Sequence, residues 1–314
     1  MTTPHCTVIV LNWNGRDFLR SCLGSLRQQT YRNFDILLLD NASQDGSVDY
    51  VNRHFPEVQV LSMTENFGFC RPNNLGLEQA MRHGSEFALL LNNDTTVAPD
   101  CLEQMMAAAG SDSKVAVVCP KIFFADAPNT LWYAGADFSL WTSRSRFAGW
   151  RQKDEGQCDE RRPITQATGC AMLVRISSVR EIGLLDERLW AYVEDLDWSI
   201  RFRREGYELR YEPSARIWHQ DGGTTVAGGS QFRRQYLTTR NLLLLCREHV
   251  RWWQLPTFLA GFLLFHVAYY SGLRLLRGDF RALRAIGRAI ADSLHPAPAV
   301  PDAQFLELGA STNS

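Results

Sequence analysis

The stretch Leu89-Leu90-Leu91-Asn92-Asn93-Asp94-Thr95 decides how the rest of the chain is read. An apolar run ends in two amides and a carboxylate, and the pattern breaks at Pro99. Apolar runs with turn chemistry behind them are buried strands of parallel sheets. Ligands of open α/β sheets bind off the carboxyl ends of the strands, which puts Asp94 at the lip of a site. A carboxylate beside amides can hold a hard divalent cation, Mg²⁺ or Mn²⁺, with phosphate oxygens completing the shell. The same residues also fit a plain strand-to-helix turn, in which Asp94 or Thr95 caps the helix after Pro99.

The residues before this stretch repeat its grammar. Thr7 to Leu11 is a β-branched apolar run ending in the turn Asn12-Trp13-Asn14-Gly15. Residues 16–29 carry apolar side chains at helical spacing. Phe34 to Leu39 reads as a second buried strand, ending at Asp40-Asn41-Ala42-Ser43. A short helix over 47–54, a strand over Val58 to Ser62, the loop Asn66-Phe67-Gly68-Phe69 and a helix over 73–83 complete the series. This alternation predicts a doubly wound α/β fold with a mainly parallel sheet. Three strands then end in polar clusters, at Asn12, Asp40 and Asp94, and their convergence on one sheet edge points to a nucleotide site. The turn NWNG is not GxGxxG, and no GxxxxGK[ST] is present, so dinucleotide-binding dehydrogenases and P-loop enzymes fit poorly.

Composition bounds the class further. A chain of 314 residues can bury a substantial core, and 45% hydrophobic with 21% charged residues is ordinary for a globular protein. A net charge of −1 gives no reason to expect a nucleic-acid partner. Only three of the 33 basic residues are lysines, and the arginine excess suits phosphate recognition. The eight cysteines are scattered without a CxxC pair and read as buried thiols of a reducing compartment. The N-terminus MTTPHCTVIV has no basic region leading into a long apolar core, so no signal peptide is expected and the chain is placed on the cytoplasmic side.

VIVLNWNG, SLRQQTYRNFDILLLDNASQDGS, ENFGFCRPNNLG and LLLNNDT together resemble the N-terminal half of glycosyltransferase family 2, nearest to its rhamnosyltransferase-like members. That resemblance implies the GT-A nucleotide-diphospho-sugar fold, transfer with inversion and a divalent metal, Mg²⁺ or Mn²⁺. It implies that Asn12 and Trp13 line the base pocket, that Asp40 hydrogen-bonds the base, and that Asn66, Gly68 and Asn93 belong to the donor site. It makes Asp94 the metal-binding end of a DxD-type motif whose first carboxylate is Asn92 here, so the metal must lean on the diphosphate and on another side chain. Further along, Tyr192-Val193-Glu194-Asp195-Leu196-Asp197-Trp198 resembles the family's ED motif, which makes Asp195 the general base and Glu194 its support. Acidic residues at a helix start also suit the helix dipole without any chemistry. His219 ends a further strand, over 215–218, where the family often places a histidine on the metal or diphosphate.

Between these lie Val115 to Cys119, expected as a buried strand, and 131–165, expected as strands and irregular loop on the acceptor side. Ile164 to Val174 is expected as one strand with a close approach at Gly169. The glycine-rich loop 221–230 reads as a lid over the donor. Gln231-Phe232-Arg233-Arg234-Gln235 is an incomplete QxxRW, which favours adding one sugar over polymerising.

Residues 255–273 carry no formal charge, and Arg274, Arg277, Arg281, Arg284 and Arg288 come next at spacings of three and four. That pattern fits an amphipathic helical region on an anionic membrane surface, a helical hairpin packed on the domain or on a second copy of the chain, or a span. The expected organisation is a GT-A domain over 1–250, split into nucleotide-sugar half 1–120 and acceptor half 121–250. A helical extension over 251–294 and a disordered tail over 295–314 complete the chain. The implied partners are a nucleotide-sugar donor, first dTDP-rhamnose, and a saccharide or lipid-linked saccharide acceptor of cell-surface polysaccharide synthesis. Membrane-surface contact through 251–290 on the inner face of the cell membrane completes the expectation. UDP- or GDP-linked donors, a nucleotidyltransferase and a non-catalytic sugar-nucleotide-binding homologue stay open as alternatives.

Overall fold

The computed structural model describes residues 3–220, 231–269, 271–272 and 280–294. Four strands and three helices alternate first: β1 (Cys6–Asn12), α1 (Arg16–Arg27), β2 (Phe34–Asp40), α2 (Ser47–His54), β3 (Gln59–Ser62), α3 (Cys70–Arg82) and β4 (Phe87–Asn92). Strands β4, β1, β2 and β3 lie side by side and parallel, with Asn12 level with Asp40 and Leu11 level with Asn92. The order reverses between β1 and β4, which makes their carboxyl ends a topological switch point. Leu89 and Leu90 are fully buried between layers and Leu91 nearly so. Truncating any of them to Ala would cost about 2–5 kcal/mol.

The chain does not cap a helix at Asp94. Thr95–Val97 forms a short strand, β5, and the next helix, α4 (Cys101–Gly110), begins only after Asp100. That removes the helix-cap alternative and leaves the Asp94 carboxylate free for other work. Strand β6 (Val115–Phe124) runs five residues past its expected end at Cys119. Pro120 sits inside it, opposite the place where the partner strand's register slips, so its missing N–H breaks no regular ladder.

Strands β7 (Leu131–Tyr133), β8 (Ala136–Ser139), β9 (Arg144–Phe147), β10 (Arg162–Ile164) and β11 (Ala171–Arg175) come next, with β8 and β9 forming a separate hairpin sheet. Ile164 to Val174 is thus two strands, not one. Residues 165–170 leave the ladder because their backbone turns to serve other groups: the Ala167 amide donates to Ser199 Oγ and the Gly169 amide to Asp195 Oδ2. After α5 (Ile176–Ile182) and α6 (Glu194–Arg204), β12 (Glu208–His219) joins β6 in parallel and β5 antiparallel.

Helix α7 (Gln231–His249), helix α8 (Leu255–Gly261) with its π-helical continuation Phe262–Ala268, and helix α9 (Phe280–Ser293) close the described chain. A second apolar cluster joins Leu196 and Ile200 of α6 to Leu242, Leu245, Phe258 and Phe262. Helix α9 buries Ala285 and Ala289 with Tyr236 and Leu237 of α7, while Arg284 and Arg288 face outward. Its apolar stripe is therefore spent on α7. Among the described residues no helix is long and apolar enough to cross a membrane. The expected lid 221–230, Arg274, Arg277 and the tail 295–314 lie outside the described residues.

Candidate active site

The site begins with a chain of side-chain amides at the switch point. Asn93 Nδ2 donates to Asn12 Oδ1 at 2.6 Å, and Asn12 Nδ2 donates to Asp40 Oδ1 at 3.0 Å and to Ser43 Oγ at 3.1 Å. Asn12 has no exposed surface, so its amide is a strut between strands. Asp40 Oδ2 accepts from the Ser43 amide at 3.0 Å, the Asx-turn role. A Cβ on Gly15 would lie 2.0 Å from Asn93 Nδ2 and would push this run of amides out of place. Trp13 stands half-buried beside it, with Arg233 of α7 over its ring at 5.7 Å and over Trp190 at 5.8 Å.

The next link is Asn41. Its Nδ2 donates to Asn66 Oδ1 at 2.8 Å and to the Gly68 carbonyl at 2.9 Å, while its Oδ1 accepts from the Phe67 amide at 2.9 Å. The loop 66–69 is thereby fixed to β2, and the amides of Phe69 and Cys70 both donate to the Trp190 carbonyl. Gly68 adopts φ +77°, and a Cβ would lie 2.5 Å from the Trp190 ring and 2.6 Å from its carbonyl oxygen. Gly68→Ala is expected to cost about 2–4 kcal/mol, read as a lower urea midpoint at unchanged slope. A loss under about 0.5 kcal/mol would refute the close packing.

Trp190 opens a strained segment that delivers the two acids. Trp190, Tyr192 and Val193 all have positive φ (61°, 68° and 74°), a conformation that costs non-glycine residues about 1–2 kcal/mol each. Asn241 on α7 holds it: Nδ2 lies 2.8 Å from the Leu189 carbonyl, 2.9 Å from that of Ala191 and 2.7 Å from that of Tyr192. Glu194 and Asp195 then start α6. Asp195, partly exposed, accepts from the Gly169 amide at 3.0 Å and the Leu196 amide at 2.7 Å. Burial raises its carboxyl above the usual range, and the two backbone donors counter this. Burial raises Glu194 further, with the neighbouring Asp195 charge adding to it. Glu194 Oε2 finds no hydrogen-bond partner among the described residues.

Segment 169–170 closes the circuit, since the Cys170 carbonyl accepts the Asn92 amide at 2.9 Å. Beyond Asn92, Asp94 and His219 are brought together by the β5–β12 pairing of Thr95 with His219. Asp94 Oδ1 stands 3.2 Å from His219 Nε2, both side chains buried. Burial works against charge on the imidazole, but the Cys170 thiol and Asp94 outweigh it and push His219 up to about 11. Apart from His219, Asp94 Oδ1 has no polar partner among the described residues. An oxygen so placed, facing an imidazole, fits a divalent cation whose remaining ligands come from a diphosphate. Among the described residues no group of three or more acidic, Cys or His side chains forms a self-sufficient metal centre.

Asn12, Asp40, Asn66, Gly68, Asn93, Asp94, Glu194, Asp195 and His219 are thus joined by one run of contacts along the strand ends, with Trp13 beside it. Asn41, Ser43, Trp190 and Asn241 are the connecting residues that sequence reasoning missed, whereas Gly169 was expected as a point of close approach. Asn41 and Ser43 carried a signal, being polar and next to Asp40; Trp190 and Asn241 carried none, because their partners are loop carbonyls and an aromatic ring position.

A mainly parallel sheet with its switch point between β1 and β4, backed by helices, is the GT-A fold of glycosyltransferases. S. aureus TarS residues 1–349 in complex with UDP-GlcNAc share the fold, with a TM-score of 0.60 over 95% of this chain and 82% of that one at 17% identity. So does the mannosyltransferase PcManGT from Pyrobaculum calidifontis in complex with GDP-Man and Mn²⁺, with a TM-score of 0.57 over 93% and 88% at 15% identity. Residues 7–183 match the model of glycosyl transferase family 2, more than half the chain, and the protein belongs to that family. Within it, the chain is 25% identical over 275 residues to the N-acetylglucosaminyl-diphospho-decaprenol L-rhamnosyltransferase of Mycobacterium tuberculosis, covering 81% of this chain and 88% of that one.

Proposed function

We propose that the protein transfers a single sugar, with inversion, from a nucleotide-diphosphate donor to a hydroxyl of a lipid-linked saccharide in cell-surface polysaccharide synthesis. The observation that supports this is the closed circuit of contacts that links Asp94–His219 and Glu194–Asp195 across the strand ends. The name of the mycobacterial relative supports dTDP-rhamnose as the donor and a polyprenyl-diphosphate-linked sugar as the acceptor. Work on such an acceptor would put the protein on the inner face of the cell membrane, with the exposed apolar side chains of 252–269 toward the lipid.

In this reading Trp13 and Asp40 receive the pyrimidine, Asp40 accepting from its ring N–H, while Asn12 and Asn93 keep that carboxylate in place. Asn66 and Gly68 bound the ribose and diphosphate side. Asp94 and His219 would hold Mg²⁺ or Mn²⁺, which when bound neutralises charge on the departing diphosphate. Asp195 takes the proton of the acceptor hydroxyl as its oxygen attacks the anomeric carbon. Burial and the neighbouring Asp195 charge favour the protonated form of Glu194, which makes Asp195 the readier of the two to ionise. One base and no covalent intermediate give inversion at that carbon.

Nucleotide-sugar binding is tested by thermal shift with dTDP-, UDP- and GDP-sugars, with and without Mn²⁺, since a ligand of the native state raises stability by mass action. A shift with a dTDP-sugar that Mn²⁺ enlarges supports the reading, and no shift with any nucleotide refutes it in favour of a non-catalytic homologue. Asn241→Ala is expected to lower kcat about 10–100-fold with donor KM within about twofold, because a loosened 189–193 segment misplaces Asp195. A parallel loss in donor KM would instead mean that the whole cleft has collapsed.

A further inference from the structure

At the carboxyl end of α6, away from Glu194 and Asp195, lies a second depression of about 390 Å³. Its walls are Phe138, Leu140, Trp141 and Ile200, and its polar groups include the guanidinium-bearing Arg203 and Arg204. No acidic residue lines it. Arg204 is fixed from behind, donating to His249 Nδ1 at 2.8 Å and to the His249 carbonyl at 2.7 Å. Arg203 is exposed and has no ion-pair partner among the described residues. A fixed cation beside a free one, against an apolar wall, suits an anion that carries a hydrocarbon body.

The surface around this pocket points the same way. Trp141 is 51% exposed at the hairpin tip, and Trp252 (80%) and Trp253 (46%) immediately precede Gln254, which lines the pocket. Arg251 lies over the Trp253 ring at 5.1 Å. Leu255, Leu263, Leu264, Phe265 and Tyr269 continue the exposed apolar surface along the adjoining helix. The hairpin and this helix form one surface: Gly261 packs directly on the Thr142 backbone, where a Cβ would meet the carbonyl oxygen at 2.0 Å, and Arg144 lies over Phe265 at 4.1 Å. Exposed tryptophans and leucines interleaved with arginines match the polar–apolar boundary of an anionic bilayer.

We propose that this pocket binds the phosphate of an anionic phospholipid headgroup, with Trp141, Trp252 and Trp253 entering the bilayer interface around it. The inference rests on the membrane-surface placement of the proposed function and adds the site that reads the lipid. Charge complementarity selects this occupant, since Arg203, Arg204, Arg251 and Arg144 surround apolar side chains with no acid in the pocket lining.

The test is co-sedimentation of the full chain with vesicles of phosphatidylcholine alone and of phosphatidylcholine mixed with phosphatidylglycerol. Wild type should bind the phosphatidylglycerol vesicles more tightly, and Arg203→Ala should weaken that binding about fivefold. Trp141→Ala should weaken binding to both vesicles, and both variants should keep the wild-type thermal shift with nucleotide sugar. Equal binding of Arg203→Ala and wild type overturns the pocket while leaving the membrane placement. Wild type that binds neither vesicle overturns both, with sugar-nucleotide binding still read separately by thermal shift. Lipid-free self-association that Trp141→Ala abolishes overturns the proposal in favour of a second copy of the chain.

Discussion

Replacing Asp195 by Asn is expected to lower transfer about 10²–10⁴-fold while donor affinity stays within about twofold. The amide keeps one oxygen for the Gly169 or Leu196 amide, so the start of α6 should hold its place. Glu194→Gln should behave oppositely, retaining transfer within about tenfold, because Gln mimics the protonated form that burial favours for Glu194. Wild-type kcat/KM should rise with pH through a midpoint above the ordinary carboxylate range, since Asp195 must be ionised to accept a proton. Glu194→Gln should keep that acid limb. The buried carboxyl of Glu194 also has a stability consequence with a definite sign. Its folded-state pKa is raised, so the stability it allows below the unfolded carboxylate value is lost as pH climbs. Glu194→Gln escapes that loss and should be more stable than wild type by about 1 kcal/mol at neutral pH, with no gain at acid pH. Full activity in Asp195→Asn would falsify the base assignment, and equal inactivity of both variants would mean the acids act as one unit.

Asp94→Asn is expected to remove about 3 kcal/mol of transition-state stabilisation, a factor of roughly 10² in transfer rate, and to abolish the Mn²⁺-dependent part of the nucleotide thermal shift. The increment on adding Mn²⁺ is the informative quantity. Asp94 also faces buried His219, so the variant's intrinsic midpoint can move for reasons unrelated to metal. An amide retains the shape of Asp94 but offers the cation no charge, and Asn92 and Asn93 supply none either. His219→Ala should act in the same direction with a smaller effect, since it removes an imidazole that must give up its proton to bind the cation, and leaves the carboxylate. A Mn²⁺-dependent shift that survives Asp94→Asn would place the metal elsewhere.

The parallel half of the sheet was legible because its signals are local. Apolar runs ending in polar turns at Asn12, Asp40 and Asn92 mark strands whose ends must face one edge, and those runs became β1, β2 and β4. Less legible was the acceptor half. The strand expected over Ile164 to Val174 splits because its middle residues bond to α6, and nothing in a propensity pattern announces a backbone amide reserved for Asp195. The amphipathic reading of 251–290 also divided on seeing tertiary contacts: α9 buries Ala285 and Ala289 against α7, while Trp252, Trp253, Leu255, Leu263 and Leu264 stay exposed.

By itself the sequence determined the fold class, the polar strand ends and the acidic pair at a helix start, because hydrophobic periodicity and turn chemistry act over a few residues. Only the tertiary structure decided that Asp94 caps no helix and instead faces His219, 125 residues away in the chain. It alone decided that Asn241 reaches back to three carbonyls of a left-handed segment to set the place of Asp195. Both depend on which strands pair and which helix covers them. That choice is fixed by burying the whole core at once, and no single stretch encodes it.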